Sequence, residues 1–258
     1  MKSHKTSKRQ IEILNFIRDN GTASIVKLAQ ALGVSDETIR RDAKILESDG
    51  SVLKFHGALA LPNLRTEVPF ERRLRDNAEA KRAISKFACQ LVQDGDSLMI
   101  DTGTTTSIFA QELRNKRNLT IVTNSSDIAR TLALVNGNKV YMAGGALKGD
   151  NGASFGDTAV EFFSWFKVKF AFISVSAIDV NLGPMDAELD EANIAYMALS
   201  RAEHRVVLSD SSKFEKSALV QICDYNDFDR LITNAMPGVA LKAALDKGGI
   251  IVDVVTVQ

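Results

Sequence analysis

The sequence predicts an α/β chain in two parts: a small N-terminal helical head closed by a β-hairpin, and a larger body built on a mostly parallel sheet. Three observations carry this. A length of 258 residues suits one small and one medium domain. Apolar residues recur at helical spacing three times before residue 50, and from about residue 79 short apolar runs alternate with helical stretches. Between these regions, Pro62, Pro69 and several charges with little periodicity mark a linker. The expected boundaries are 1–60 for the head, with its helix-turn-helix at about 23–42, 61–78 for the linker and 79–258 for the body.

In the head, Ile11, Leu14 and Ile17, with Ile13 and Phe16 beside them, predict a helix over 7–20 that ends at Asn20-Gly21. A second, over 24–32, places Ile25, Leu28, Ala29 and Leu32 on one face, and Gly33 breaks it. Ser35 then stands as N-cap of a third helix reaching about residue 48, with Asp36 and Glu37 favouring its dipole. Ile39, Ala43 and Leu46 form its inner stripe. After Asp49-Gly50, the alternation in 52–56 predicts a wing. In the body, a helix over 79–92 precedes candidate strands at 97–100, 119–123, 139–143, 170–175, 206–208, 230–232 and 250–257. Helices are expected at 105–113, 126–134, 158–166, 191–202 and 239–247. That alternation predicts parallel strands covered on both faces.

Composition narrows the function classes. A hydrophobic content of 45% and a charged content of 25% are ordinary for a globular protein. No apolar run approaches the roughly 18–20 residues that span a bilayer, and the basic start Met1-Lys2-Ser3-His4-Lys5 lacks the apolar stretch of a signal peptide. A cytoplasmic protein with no membrane partner is expected. Cys89 and Cys223, far apart and without metal-ligand spacing, read as buried reduced thiols. His4, His56 and His204 are too scattered for a metal site, and no cofactor is expected. Phe162, Phe163, Trp165 and Phe166 read as core or subunit interface. Net charge is zero, but residues 1–62 hold ten Lys/Arg against seven Asp/Glu. A basic end on an acidic body suits a chain that touches phosphate with one domain.

Two short helices joined at Gly33 have the helix-turn-helix layout, in which the second helix enters the major groove of duplex DNA. With Ile39, Ala43 and Leu46 inward, Glu37, Thr38, Arg40, Arg41 and Lys44 face solvent. An Arg on such a helix can pair bidentately with guanine, and the Ser35 and Thr38 hydroxyls suit phosphate or base edges. Lys54 and His56 on the wing are placed for the flanking backbone or minor groove. Arg65, Arg72, Arg73 and Arg75 read by default as solvated linker charges, with DNA backbone as the alternative.

The run Ala29-Gln30-Ala31-Leu32-Gly33-Val34-Ser35-Asp36-Glu37-Thr38-Ile39-Arg40-Arg41-Asp42, followed by His56-Gly57, resembles the signature of the DeoR family of bacterial repressors. The chain departs from the family pattern at Ala43, usually Leu, and at Ala58, usually Gly. The resemblance implies a winged helix-turn-helix on operator DNA.

In the body, Asp101-Thr102-Gly103-Thr104-Thr105-Thr106 follows a strand and opens a helix, a setting where backbone N–H groups and hydroxyls receive anions. Alone, such a turn is more often just a turn. Thr123-Asn124-Ser125, Gly144-Gly145 and Asp210-Ser211-Ser212-Lys213-Phe214 lie at other predicted strand ends, where ligands of open α/β sheets gather. These segments also resemble the DeoR sensor domain, which is similar in fold to ribose-5-phosphate isomerase. The resemblance implies an effector pocket for a phosphorylated sugar or polyol, lined by Asp101, Gly103, Thr104, Thr105, Thr106, Asn124, Gly144, Gly145, Asp179, Glu191 and Lys213. Residues 154–156, 160–163 and 217–220 look most like the branch that answers to glycerol 3-phosphate, although Ile194, Ala195 and Tyr196 replace residues that are often basic there.

The expected function is therefore a non-enzymatic repressor, a homodimer or homotetramer released from DNA by its effector. Two alternatives stand beside it. One is an isomerase-like enzyme with Glu191 or Asp179 as base and Lys213 stabilising an enediolate. The other uses the winged helix as a protein-docking module.

Overall fold

The computed structural model describes residues 7–20, 22–49, 51–55, 58–60 and 70–256. The chain divides into two compact units, Met1–Val68 and Pro69–Gln258.

The first unit contains helices α1 (Lys8–Asn20), α2 (Ile25–Leu32) and α3 (Asp36–Ser48). Strands β1 (Thr22–Ser24), β2 (Leu53–Phe55) and β3 (Ala58–Ala60) form an antiparallel sheet in the order β1-β3-β2. The wing expected over 52–56 is thus the β2–β3 hairpin, and β1 is an addition to it. Ser24 caps α2 by accepting from Lys27 N at 3.2 Å. Gly33 ends that helix at φ 64°, a left-handed conformation that costs a residue with a Cβ. Ser35 caps α3, accepting from Thr38 N. Ile13, Ile17, Leu28, Ile39, Leu46 and Leu59 are fully buried and form the core of the unit.

The second unit opens with α4 (Phe70–Arg75) and α5 (Ala78–Leu91). The segment 61–78 is therefore not linker throughout: Phe70 is buried, and its N–H donates to the Asp150 carboxylate at 3.2 Å. There follow β4 (Ser97–Ile100), α6 (Thr104–Leu113), β5 (Thr120–Thr123), α7 (Ser126–Leu132), β6 (Lys139–Met142) and α8 (Asp157–Ser164). Next come β7 (Val168–Ser174), β8 (Ala177–Asp179), β9 (Gly183–Asp186), α9 (Leu189–Ser200) and β10 (Ala202–Leu208). A 3-10 turn (Ser211–Lys213), β11 (Val220–Gln221), β12 (Arg230–Thr233), α10 (Val239–Lys247) and β13 (Ile251–Val254) complete the unit.

All seven strands expected from the sequence lie in one parallel sheet, ordered β13-β12-β10-β7-β4-β5-β6. Their residues alternate between two cores. Leu98, Ile100, Phe172 and Leu208 face one core with Ile84, Ala88 and Phe109. Met99, Ile173 and Val207 face the other with Phe163, Ala195 and Leu241. Each of the larger side chains, Phe109 at 0% exposure among them, contributes about 1.5–3 kcal/mol by leaving water. In the expected aromatic cluster only Phe163 is fully buried, while Trp165 is 67% exposed. Cys89 and Cys223 are both buried free thiols, and burial pushes the Cys223 pKa up to about 12.

Two features position the site. From β4 the chain steps through β5 to β6 on one side, then returns to place β7 on the other. Such a reversal of strand order, here at the carboxyl ends of β4 and β7, is where ligands of open α/β sheets generally bind. A small antiparallel sheet, ordered β11-β9-β8, follows β7. Among the described residues, no helix is long and apolar enough to cross a membrane.

Candidate nucleic-acid interface and effector site

On α3, Ile39, Ala43 and Leu46 are buried, while Glu37, Arg40, Arg41 and Lys44 are exposed, as the helical spacing requires. Thr38 is half-buried, and its hydroxyl lies 2.9 Å from that of Ser35. These two hydroxyls are thus engaged at the helix cap, and the charged groups are left exposed. Asp42 is also buried, and the guanidinium of Arg9 donates to its carboxylate at 2.5 Å. The acid of the Arg-Arg-Asp run therefore ties α3 to α1 and leaves both arginines outward. Lys54 lies on β2, its side chain outside the described set, and His56 lies outside the described residues.

In the body, the ends of β10, β7, β4, β5 and β6 lie side by side through the pairs Leu208↔Ser174, Ile100↔Phe172, Ile100↔Thr123 and Thr123↔Met142. Asp101, one residue past β4, is 4% exposed and accepts from Ser174 N at 3.1 Å. Burial holds its pKa well above the usual carboxylate range, the nearby Asp186 and Glu191 charges add to this, and the Ser174 and Thr106 hydrogen bonds oppose it. Gly103 allows β7 to come this close. A Cβ at that position would stand 1.8 Å from Ser174 Oγ and 3.0 Å from Ser174 Cβ. Gly103 also opens α6, where Thr104, Thr105 and Thr106 are all buried in the first turn. Asn124, fully buried, donates to the Ser154 carbonyl at 3.0 Å. Asn124 Oδ1 and Thr102 Oγ1 are buried and have no hydrogen-bond partner among the described residues.

Gly144 and Gly145 are exposed at the start of a loop that folds back through the bridges Leu147↔Ser154 and Ser125↔Ala153. This loop reaches two elements. Lys148 Nζ and Asn151 Nδ2 donate to Glu191 Oε1 at 3.1 and 3.2 Å. Asp150 accepts from Phe70 N and pairs with Arg73 at 3.9 Å. Arg73 is therefore not a solvated linker charge.

Lys213 lies in the 3-10 turn after β10, half-buried. Its charge acts on a residue that sequence reasoning missed. Lys81 on α5 is 4% exposed, and its ammonium donates to the Arg73 carbonyl. Burial lowers its pKa, the positive charges of Lys213 and Arg73 lower it further, and Asp210 and Asp76 oppose the shift. Ser85, one turn later, donates to the Thr105 carbonyl at 3.4 Å, which sets this end of α5 beside the first turn of α6. A usable signal existed: Lys81 falls on the inner stripe of α5 with Ile84, Ser85 and Ala88, and lysine is rarely fully buried without a task.

Asp179 departs from expectation. Its carboxylate accepts from Asn181 N at 2.8 Å and Leu182 N at 3.1 Å, closing the turn between β8 and β9, and these bonds lower its pKa. The small sheet brings Asp186 to the site instead. Asp186 is 6% exposed and accepts from Ser176 Oγ at 2.9 Å and from Ala187 N at 2.7 Å.

Residues 9–64 match the DeoR-like helix-turn-helix domain, and residues 76–235 match the DeoR C-terminal sensor domain. The chain is 30% identical over 241 residues to the glycerol-3-phosphate regulon repressor of Escherichia coli K12, covering 93% of this chain and 96% of that one. It is 28% identical over 243 residues to the transcriptional repressor GlcR of Bacillus subtilis, covering 94% and 93%. Among solved structures, ribose 5-phosphate isomerase A of Methanocaldococcus jannaschii is similar at a TM-score of 0.40 and 19% identity, over 55% of this chain and 56% of that one. That likeness is too distant to speak to function. With both domains matched in order and the relatives aligned from end to end, the chain belongs to the DeoR family of helix-turn-helix transcription regulators.

Proposed function

We propose that this protein is a repressor of a carbohydrate or polyol operon, released from its operator by a phosphorylated sugar or polyol bound at the strand ends of the body. The observation that carries the reading is Lys81, a lysine buried beside the first turn of α6 with Lys213 and Arg73 acting on it. One buried and two half-buried cations near the first turn of a helix favour a multiply charged anion, and a phosphate ester meets that need. Thr104, Thr105 and Thr106 supply hydroxyls, and Gly103 admits the close approach. The likeness to a glycerol-3-phosphate regulon repressor makes glycerol 3-phosphate the first compound to test.

The exposed Arg40, Arg41 and Lys44 read operator DNA, and two or four copies present paired heads to repeated half-sites. Coupling runs through α4, the first described element after the junction between the units. Lys81 holds its Arg73 carbonyl, and Asp150 holds its Phe70 N–H. A phosphate that recruits Lys81 competes with the first of these bonds. By linkage, operator and effector each weaken the other by the same factor.

Selection of duplexes from a random pool supplies the operator. Fluorescence anisotropy with that duplex is then followed during titration with glycerol 3-phosphate, glucose 6-phosphate and fructose 6-phosphate. Release by at least one of them is expected, and unchanged operator affinity with all three, despite bound ligand in calorimetry, overturns the release mechanism. Ribose 5-phosphate is expected to undergo no turnover, because Asp179 is committed to a turn and Glu191 to Lys148 and Asn151.

A further inference from the structure

The strand-end site has two chemically different ends. Lys81, Lys213 and Arg73 gather by Asp210 at the end of β10. Toward β7 and β9, the groups are acceptors. Asp101 and Asp186 are 4% and 6% exposed, and the Glu191 side chain is 11% exposed. They are held in one neighbourhood by the end of β7, where Ser174 N donates to Asp101 and Ser176 Oγ donates to Asp186. The charges of Asp186 and Glu191 both act on Asp101.

A second, independent feature has the same polarity. Asn124 Oδ1, fully buried one strand away from Asp101, is an acceptor with no donor among the described residues. A buried acceptor left without a donor costs about 1–3 kcal/mol, so a ligand that brings donors to this end gains by satisfying it. Thr102 Oγ1, buried and likewise without a partner, can serve as donor or acceptor. Among the described residues, no three carboxylates, histidines or thiols come close enough to hold a metal ion, so a cation bound by the acids is not the account of this chemistry.

Resting on the phosphate reading above, we propose that the effector is a phosphate ester whose other end carries hydrogen-bond donors and no carboxylate, and that Asp101 and Asp186 enforce the choice. Hydroxyl or amino groups donate to the acceptor set. A carboxylate offers only acceptors and adds a negative charge where Asp101 and Asp186 are already buried. The site thus discriminates by polarity at one end and anchors by charge at the other. Phosphorylated sugar acids are excluded, while polyol, aldose and amino-sugar phosphates are admitted.

Matched pairs test this on the full chain by isothermal titration calorimetry. Glycerol 3-phosphate and 3-phosphoglycerate differ only in a terminal CH2OH against a carboxylate, and glucose 6-phosphate and 6-phosphogluconate form a longer pair. In at least one pair, the member without the carboxylate is expected to bind at least tenfold more tightly. Asp186→Asn and, separately, Asp101→Asn are expected to narrow that gap, chiefly by improving the acid. Each asparagine keeps an oxygen for the Ser176 or Ser174 donor, and intrinsic fluorescence of Trp165 reports whether the body remains folded. Equal binding of both members, or a gap that neither variant changes, overturns the inference and leaves the phosphate site standing. Binding by no member of either pair overturns the phosphate reading itself, and this inference with it.

Discussion

Replacing Gly103 by alanine probes the close packing at the point where the strand order reverses. The backbone there is extended, with φ −179° and ψ 163°, so alanine carries no conformational penalty and the effect is steric. The new Cβ would meet Ser174 Oγ at 1.8 Å, Ser174 Cβ at 3.0 Å and Thr106 Oγ1 at 3.2 Å. Rotating the Ser174 hydroxyl away removes only the first clash, so β7 and the start of α6 must also separate by a few tenths of an ångström. Overpacking of this kind costs about 1–3 kcal/mol, and at about 2–4 °C per kcal/mol for a domain of this size the midpoint falls by roughly 6 °C. Trp165 is the single tryptophan and lies in the body, so its fluorescence follows this unit alone. Ser174→Gly removes both serine atoms, so Gly103→Ala is expected to cost much less in the Ser174→Gly background than in the parent. A Gly103→Ala midpoint within 1 °C of the parent, or additive effects in that cycle, would refute the packing argument.

Three further outcomes follow from the geometry. Lys81→Met keeps an apolar stem, loses the bond to the Arg73 carbonyl and relieves a buried charge, so stability is expected to stay within about 1 kcal/mol. Calorimetry with glycerol 3-phosphate should show at least a tenfold loss of affinity for the same variant, and unchanged affinity removes Lys81 from the site. Because the Asp101 pKa is raised in the folded state, its contribution to stability is fully present below the ordinary carboxylate range and is lost as pH rises through the raised value. Thermal melts of Asp101→Asn should therefore gain on the parent by about 1.4 kcal/mol per pH unit across that window, and a pH-independent difference contradicts the assignment. On the head, Arg41→Ala is expected to weaken selected operator by about 1–3 kcal/mol and random duplex by less. Equal losses in anisotropy on the two duplexes make Arg41 a phosphate contact.

The parallel sheet was legible because strands buried on both faces leave unbroken apolar runs, such as 97–100 and 170–174, bounded by polar turns. The three helices of the head were legible from their stripes and from the Ser35 and Gly33 signals. The small sheet was not, because Ala177–Asp179, Gly183–Asp186 and Val220–Gln221 are two to four residues long and two of the three carry an acid. Its pairing is set by tertiary position. A close fit makes Gly183 obligatory in β9: φ is +79°, and an added Cβ would lie 3.0 Å from the Cys223 carbonyl. The site was half legible for a related reason. Residues at strand ends announce themselves by following an apolar run, as Asp101 and Asn124 do. Asp179 and Asp186 are both acids in the same sheet, and only the fold decides which one closes a turn and which one comes near Asp101.

The loop over 144–152 bridges two helices of the body. Lys148 and Asn151 grip the acid at the first turn of α9, and Asp150 grips the first turn of α4. Gly149 alone separates Asp150 from Lys148, and Asn151 follows Asp150 directly, so the spacing of these grips is a ruler written into the chain. On the release mechanism proposed above, inserting a single glycine beside Asp150 is expected to give a protein that still binds operator and effector but is no longer released by the one from the other. On that mechanism, non-inducible variants are expected to concentrate in this short segment, far in sequence from α3.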